Sequence, residues 1–326
     1  MAQSKGFFFG TSADQSLITM IKFDRDQKVF DIGGVKVGGQ PGELPPVMIG
    51  SLFHQGHGIV KDRESGIFNS EKASRLIRRQ DEVSRMLGVG CMVDVVAETE
   101  EAMESNLRFV VQETESPFLV NAPTASVRIH GVRVARDLGA LDRAVYDSIN
   151  YRVDEEERGG IKDSGVEAAI VQAFNPRKPM PDGMVEIVKG DGDREGLLSI
   201  SRKAGITKPL LFTPVLDLPS VGFAARGIYL LKRDLGLPCG TAPVGVVGRS
   251  RQIKPVPKSI KRACRSSVVS MCQAMGADYI IYGTMARCRR VMTAAAVADA
   301  AISYNARTMG LRSKGESPLT VMFRSR

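Results

Sequence analysis

Seven polar side chains stand inside or just beyond short apolar runs: Asp94, Asn121, Asp147, Asn150, Gln172, Asn175 and Asp217. The runs are CMVDVVAE (91–98), PFLVNAP (117–123), AVYDSIN (144–150), AAIVQAFNP (168–176) and KPLLFTPVLD (208–217). An ionised Asp accepts two hydrogen bonds side by side, whereas Asn and Gln offer one acceptor and two donors. If all seven line one mouth, that mouth holds carboxylates and carboxamides with no Cys or His. Such a ring suits a flat, nitrogen-rich heterocycle better than a metal. A competing reading is that about half of them individually cap the helices that follow.

A pterin fits this donor set. It presents an exocyclic amine beside a ring N–H, which one buried Asp can take together, while Asn matches its mixed edges. Other chemistries lack their residues. There is no GxxxxGK[ST], and no GxGxxG follows a strand, so neither nucleotide fingerprint is present. His54 and His57 (HQGH) lack a recognisable third ligand, and we read them as loop residues that shape the mouth. No G-x-S-x-G elbow occurs. The five cysteines, Cys91, Cys239, Cys264, Cys272 and Cys288, form no CxxC, which points to packing in a reducing cytoplasm without disulfides.

Positioning these residues needs repeated strands. Three further apolar runs, PPVMIGSLF (45–53), CGTAPVGVVG (239–248) and ADYIIYG (277–283), bring the total to eight. Most are followed by helix-period stretches, which predicts parallel strands, right-handed crossovers and an α/β fold closed as a (β/α)8 TIM barrel. The active site of a barrel forms at the C-terminal ends of its strands. Residues 28–39 (KVFDIGGVKVGG) alternate around Gly33-Gly34 and predict an N-terminal β-hairpin plugging the barrel bottom. Helix starts are expected at Asn69 or Ser70, Thr99, the acidic DEEE of 154–157 and Ser220. Residues 176–195 form a Pro/Gly-rich insertion with the character of a lid. The expected organisation is an extension over 1–19, a barrel over 20–310 and a basic tail over 311–326, mobile or serving as a dimer arm.

Length 326 suits one such barrel with extensions, and 43% apolar content with 25% charge is ordinary for a globular enzyme. No apolar run is long enough for a membrane span, and the FFF cluster near the start is too short for a signal peptide. The net charge of +9 is spread without a nucleic-acid-binding motif and reads as a solvated face, compatible with an anionic ligand or acidic partner.

Ile32–Glu43 (IGGVKVGGQPGE), Ile49–Val60 (IGSLFHQGHGIV), YDSIN (146–150) and AFNP (173–176) resemble the H-subunit family of tetrahydromethanopterin S-methyltransferase. They are equally similar to its bacterial relatives, which methylate tetrahydrofolate in methylamine and glycine betaine demethylation. The resemblance runs from near Met20 past residue 300. It implies a barrel of the pterin-binding methyltransferase type, shared with corrinoid-dependent methyltransferases and dihydropteroate synthase. The implied reaction moves a methyl group between the cobalt of a corrinoid protein and N5 of a tetrahydropterin.

The resemblance further implies an Asp ending strand 3, an Asn in strand 4, an Asp after strand 6 and an Asn after strand 7. Asp217 matches the third. The first two are exchanged here as Asn121 and Asp147, and the strand-7 segment reads VVGRS (246–250). On this basis Asp217 and Asp147 anchor the pterin. Asn121, Asn150 and Asn175 bond its ring and, with Asp147, are the expected catalytic residues, while Gln172 and Asp94 complete the expected substrate-binding set; Asp94 sits within its strand, so its replacement is expected chiefly to lower stability. No DxHxxG cobalamin segment is present, so the expected arrangement is a corrinoid protein that carries the methylcobalamin, no metal bound by this chain, and a cytoplasmic homodimer. The expected function is methyl transfer from methyl-cob(III)alamin to tetrahydrofolate or a close tetrahydropterin. The alternatives are a non-catalytic subunit docking on a corrinoid protein, or a tetrahydromethanopterin-specific subunit. A pteroate synthase lacks its strand-7 Lys and Gly-rich diphosphate loop here.

Overall fold

The computed structural model describes residues 22–192 and 194–322; the expected extension over 1–19 lies outside them. A hairpin comes first, β1 (Val29–Ile32) and β2 (Val35–Gly38), paired antiparallel. Gly33 and Gly34 both take positive φ, 50° and 84°, as a type I′ turn demands. A Cβ at Gly33 would lie 2.4 Å from that of Arg143, so the turn tip presses on the barrel. Ile32 and Val37 are buried with Val47, Met92, Leu119, Val145 and Leu210 of the strands that follow. The hairpin therefore plugs the barrel bottom.

The chain then runs through β3 (Val47–Leu52), a short ribbon of β4 (Val60–Asp62) and β5 (Ile67–Phe68), α1 (Ser70–Leu87), β6 (Cys91–Val96) and α2 (Glu100–Glu113). Next come β7 (Phe118–Asn121), α3 (Ala125–Asp137), β8 (Ala144–Ile149), α4 (Glu155–Ser164) and β9 (Ala168–Gln172). After α5 (Pro181–Lys189) and α6 (Leu197–Lys203) follow β10 (Lys208–Thr213), α7 (Val221–Leu235) and β11 (Cys239–Thr241). The last elements are α8 (Val244–Arg249), α9 (Lys258–Ala274), β12 (Tyr279–Thr284), α10 (Cys288–Ala306) and α11 (Pro318–Met322). Strands β3, β6, β7, β8, β9, β10, β11 and β12 close into one parallel barrel in that order. Both faces of each strand are covered, which explains the near-continuous apolar runs.

Helix starts follow the sequence. Asn69 accepts from the Lys72 amide, Thr99 from Ala102 and Asp154 from Glu157. Gly88 closes α1 in the left-handed region at φ 65°. Three expectations need correction. The 176–195 insertion is not all loop: Pro181 opens α5, since a proline at the first helical position sacrifices no hydrogen bond. The 239–248 run gives a strand of only three residues, after which Pro243 cannot donate to the ladder and residues 244–249 turn helical. The third concerns the tail. Residues 311–322 pack on their own barrel, with α11 against α1 and α10, Ser317 buried, and Lys314 bonded to Glu43 through both backbone and side chain.

One ion pair ties the bottom together. Lys232 of α7 is fully buried and its Nζ reaches both Asp278 oxygens at 2.5 and 2.6 Å and the Gly39 carbonyl at 3.1 Å. Asp278 also accepts from the Cys239 amide at 2.8 Å. Lys232→Met leaves that carboxylate buried without its cation, so we expect a loss of about 3–5 kcal/mol in urea unfolding. A loss below about 1 kcal/mol would mean that the pair is not what joins helix, hairpin and strands.

Candidate active site

Barrel closure turns alternate side chains of each strand inward. On β3 these are Val47, Ile49 and then Ser51, and on β6 they are Met92 and then Asp94. Asp94 is 3% exposed. It accepts from Ser51 Oγ at 2.5 Å and from Asn121 Nδ2 at 2.9 Å. Asn121 ends β7 and lies in register with Asp147 of β8. Gln172 ends β9, two residues above the lumen residue Ile170. The structure thus brings Asp94, Asn121 and Asp147 together, with Gln172 on the same inner face. Asp94 is inside its strand as expected, and its carboxylate points into the mouth of the barrel.

The electrostatics of this cluster are unusual. Burial pushes the Asp147 carboxyl up to about 8, the nearby Asp94 pushes in the same direction, and only Arg128 opposes them. Burial likewise raises Asp94, while its bonds from Ser51 and Asn121 and the charge of His54 pull it down. Among the described residues no donor bonds the Asp147 side chain. Asp147 is half-buried and keeps some access to solvent at the mouth, so a ligand edge with two N–H groups would replace water there and satisfy it.

The remaining expected residues behave differently. Asn150 Oδ1 accepts from the Arg152 amide at 3.0 Å, and Asn175 Oδ1 from the amides of Arg177 and Lys178 at 3.0 and 3.3 Å. Asp217 is exposed, stands four residues beyond the end of β10, and accepts from the Ser220 amide at 2.9 Å. These three side chains organise the turns after their strands, and Asp217 also lines a cavity of about 560 Å³ with Arg249 and Arg251. The reach of Asp217 into the mouth expected from the sequence is therefore not what the geometry gives. Its carboxylate is drawn to unpaired amides at a helix start.

Several contributors escaped the sequence reading. Ser51 was legible only as the third inward position of β3. Arg128 of α3 donates to Tyr146 Oη at 3.1 Å and to Glu157 at 2.7 Å, and Tyr146 donates to Glu157 at 2.6 Å, which fixes β8 from behind. His54 and His57 do shape the mouth. Their rings stack 4.7 Å apart, and His57 accepts from the Phe53 amide at 3.2 Å. Burial and then His54 depress His57 to about 4, so it is neutral at physiological pH. Among the described residues no three His, Cys, Asp or Glu side chains converge as a metal-holding group.

A closed eight-stranded parallel barrel with helices between its strands is the fold shared with the dihydropteroate synthases. Dihydropteroate synthase from Xanthomonas albilineans in complex with 7,8-dihydropteroate superposes with a TM-score of 0.55 at 16% identity, covering 86% of this chain and 99% of that one. A dihydropteroate synthetase with a bound product gives 0.58 at 15% identity, covering 85% and 100%. These likenesses concern the fold. Sequence relationship goes further. Residues 25–314 match the family model of the tetrahydromethanopterin S-methyltransferase MtrH subunit. The MtrH relative from Methanothermobacter thermautotrophicus is 34% identical over 305 residues, which cover 92% of this chain and 98% of that relative. The one from Methanosarcina barkeri is 32% identical over 302 residues, covering 90% and 96%. The chain belongs to the MtrH family of methyltransferase subunits.

The raised Asp147 makes a pH-dependent prediction. Its folded value of about 8 exceeds the unfolded value of about 3.9, so ionisation opposes folding; the cost is absent below about pH 4 and complete above about pH 8. Asp147→Asn removes it. With a discount for residual solvent access, we expect the variant to be more stable than the parent by on the order of 2–4 kcal/mol near pH 8, the gap closing on acidification. Urea unfolding across that range measures it; a gap independent of pH would contradict the burial argument.

Proposed function

We propose that this chain transfers a methyl group from methyl-cob(III)alamin, carried by a partner corrinoid protein, to N5 of a tetrahydropterin, either tetrahydrofolate or tetrahydromethanopterin. The observation that carries the reading is the donor-starved Asp147 beside the Asp94–Asn121 pair at the mouth of a pterin-class barrel. The exocyclic amine and adjacent ring N–H of a pterin supply the two donors that Asp147 lacks, and by bonding the carboxylate they favour its ionised form over the protonated one that the free mouth favours near neutral pH. Asn121 keeps one Nδ2 hydrogen and its carbonyl oxygen for the mixed edge, and Gln172 offers a second carboxamide.

With the ring held, the N5 lone pair attacks the methyl carbon in line. The C–Co bond breaks with its electron pair staying on cobalt, so cob(I)alamin leaves, and the N5 proton is lost. The chain's contribution is orientation of N5 beside the methyl carbon and a mouth open to a large partner. The corrinoid is a substrate delivered from outside. Among the described residues no helix is long and apolar enough to cross a membrane, and we propose a cytoplasmic homodimer, which light scattering on the purified protein tests.

Anaerobic mixing with methylcobalamin and each tetrahydropterin should convert the cobalt spectrum to cob(I)alamin faster than the uncatalysed reaction. Pterin binding without any demethylation would instead indicate a docking role. Asp94→Asn and Asp147→Ala should weaken pterin affinity by about 30-fold or more, the equivalent of leaving buried partners unpaired at 1.4 kcal/mol per decade. Asp217→Asn, whose side chain serves a turn, should change affinity by less than about threefold. The reverse ranking would move the binding site to the β10 side of the barrel.

A further inference from the structure

Residues 235–298 contain ten Lys and Arg but a single acid, Asp278, and that acid is taken by Lys232. Two of these cations are drawn out of solvent without a counter-charge. Arg265 is the eighth residue of α9, and its Nε is buried with no hydrogen-bond partner. Arg287 follows the end of β12 by three residues and is half-buried. Burial, and then the charge of Arg265 beside it, hold the Arg287 guanidinium below its ordinary value. The other buried arginines are satisfied: Arg128 by Glu157, and Arg143 by the carbonyls of Thr114, Ser116 and Val111.

Both guanidinium groups lie close against glycine backbone, which lets them sit at the rim without a side chain in between. A Cβ on Gly248 of α8 would come within 3.4 Å of Arg265 Nη2, and one on Gly283 of β12 within 3.3 Å of Arg287 Nη1. Helix α8 packs against both α9 and β12, and all three meet at the C-terminal rim of the barrel. A forked, permanently charged guanidinium pair is matched to a carboxylate or phosphate. We propose that Arg265 and Arg287 form an oxyanion site on the rim that takes the anionic tail group, carboxylate or phosphate, of the tetrahydropterin whose ring lies in the mouth. The identity of this ligand rests on the methyl-transfer reading. Strand β12 stands opposite β8 in the closed order of the barrel, so a tail leaving a ring held at Asp147 crosses the mouth to reach this pair.

Calorimetric titration with three probes tests the site on the full chain: 6-methyltetrahydropterin, which has no anion, tetrahydrofolate and inorganic phosphate. For the parent protein we expect tetrahydrofolate to bind at least about tenfold tighter than the tailless pterin, at about 1.4 kcal/mol per decade, and phosphate to erase that advantage. Arg265→Gln and Arg287→Gln should each shrink the advantage and weaken phosphate binding, with unfolding midpoints reported alongside. If phosphate binds and both variants lose it while no pterin binds the parent, the functional reading fails and the site stands for another oxyanion, its pterin-tail assignment overturned. An undiminished tetrahydrofolate advantage in both folded variants, or no competition by phosphate, overturns the site itself.

Discussion

Closure of the parallel ladder is the constraint on which the rest of this molecule depends. Once eight strands join edge to edge, every second side chain must enter a lumen that has to be filled. Val47, Ile49, Met92, Leu119, Val145, Ala168, Ile170, Leu210 and Tyr279 fill its lower layers, and the hairpin residues Ile32 and Val37 seal it from below. The same alternation brings Ser51, Asp94, Asn121, Asp147 and Gln172 to the upper end. The polar cluster is thus the top layer of the core, held by strands and not by flexible loops.

The two ends of the barrel treat buried charge in opposite ways. At the bottom, Lys232 and Asp278 neutralise each other, and each takes a further backbone partner, the Gly39 carbonyl beside the hairpin and the Cys239 amide of β11. That arrangement leaves nothing for a ligand and serves stability, as the N-terminal face of such barrels generally does. At the top, Asp94 is satisfied by Ser51 and Asn121 while Asp147 is not. Behind β8, the Arg128–Tyr146–Glu157 network stiffens the strand and supplies the one positive charge that moderates Asp147. The mouth carries unmet hydrogen-bonding capacity on a rigid frame, which is what preorganised binding requires.

Asn121 and Asp147 stand side by side at the upper ends of the third and fourth barrel strands. They are register partners, so exchanging them would move the carboxylate sideways by one strand within the same layer. The contacts of Asp94 explain why one of the two positions must donate: an Asp at 121 would add a second like charge against it, whereas the Asn121 amide donates to it.

The sequence by itself determined the repeating order, the hairpin turn at Gly33-Gly34, the helix starts at Asn69, Thr99 and Asp154, and the family. These are set by apolar periodicity, by glycine's access to positive φ and by side chains that bond their own neighbouring amides, all of which act over a few residues. It also singled out the polar residues near strand ends. Only the tertiary structure decided which of them meet. Asp94 and Asp217 look alike along the chain, yet strand parity sends one into the lumen while an unpaired amide at a helix start captures the other. The raised Asp147, the reach of Arg128 from α3 and the helical fate of residues 244–249 arise from strand tilt, enclosure and packing between elements distant in sequence, which no local pattern records.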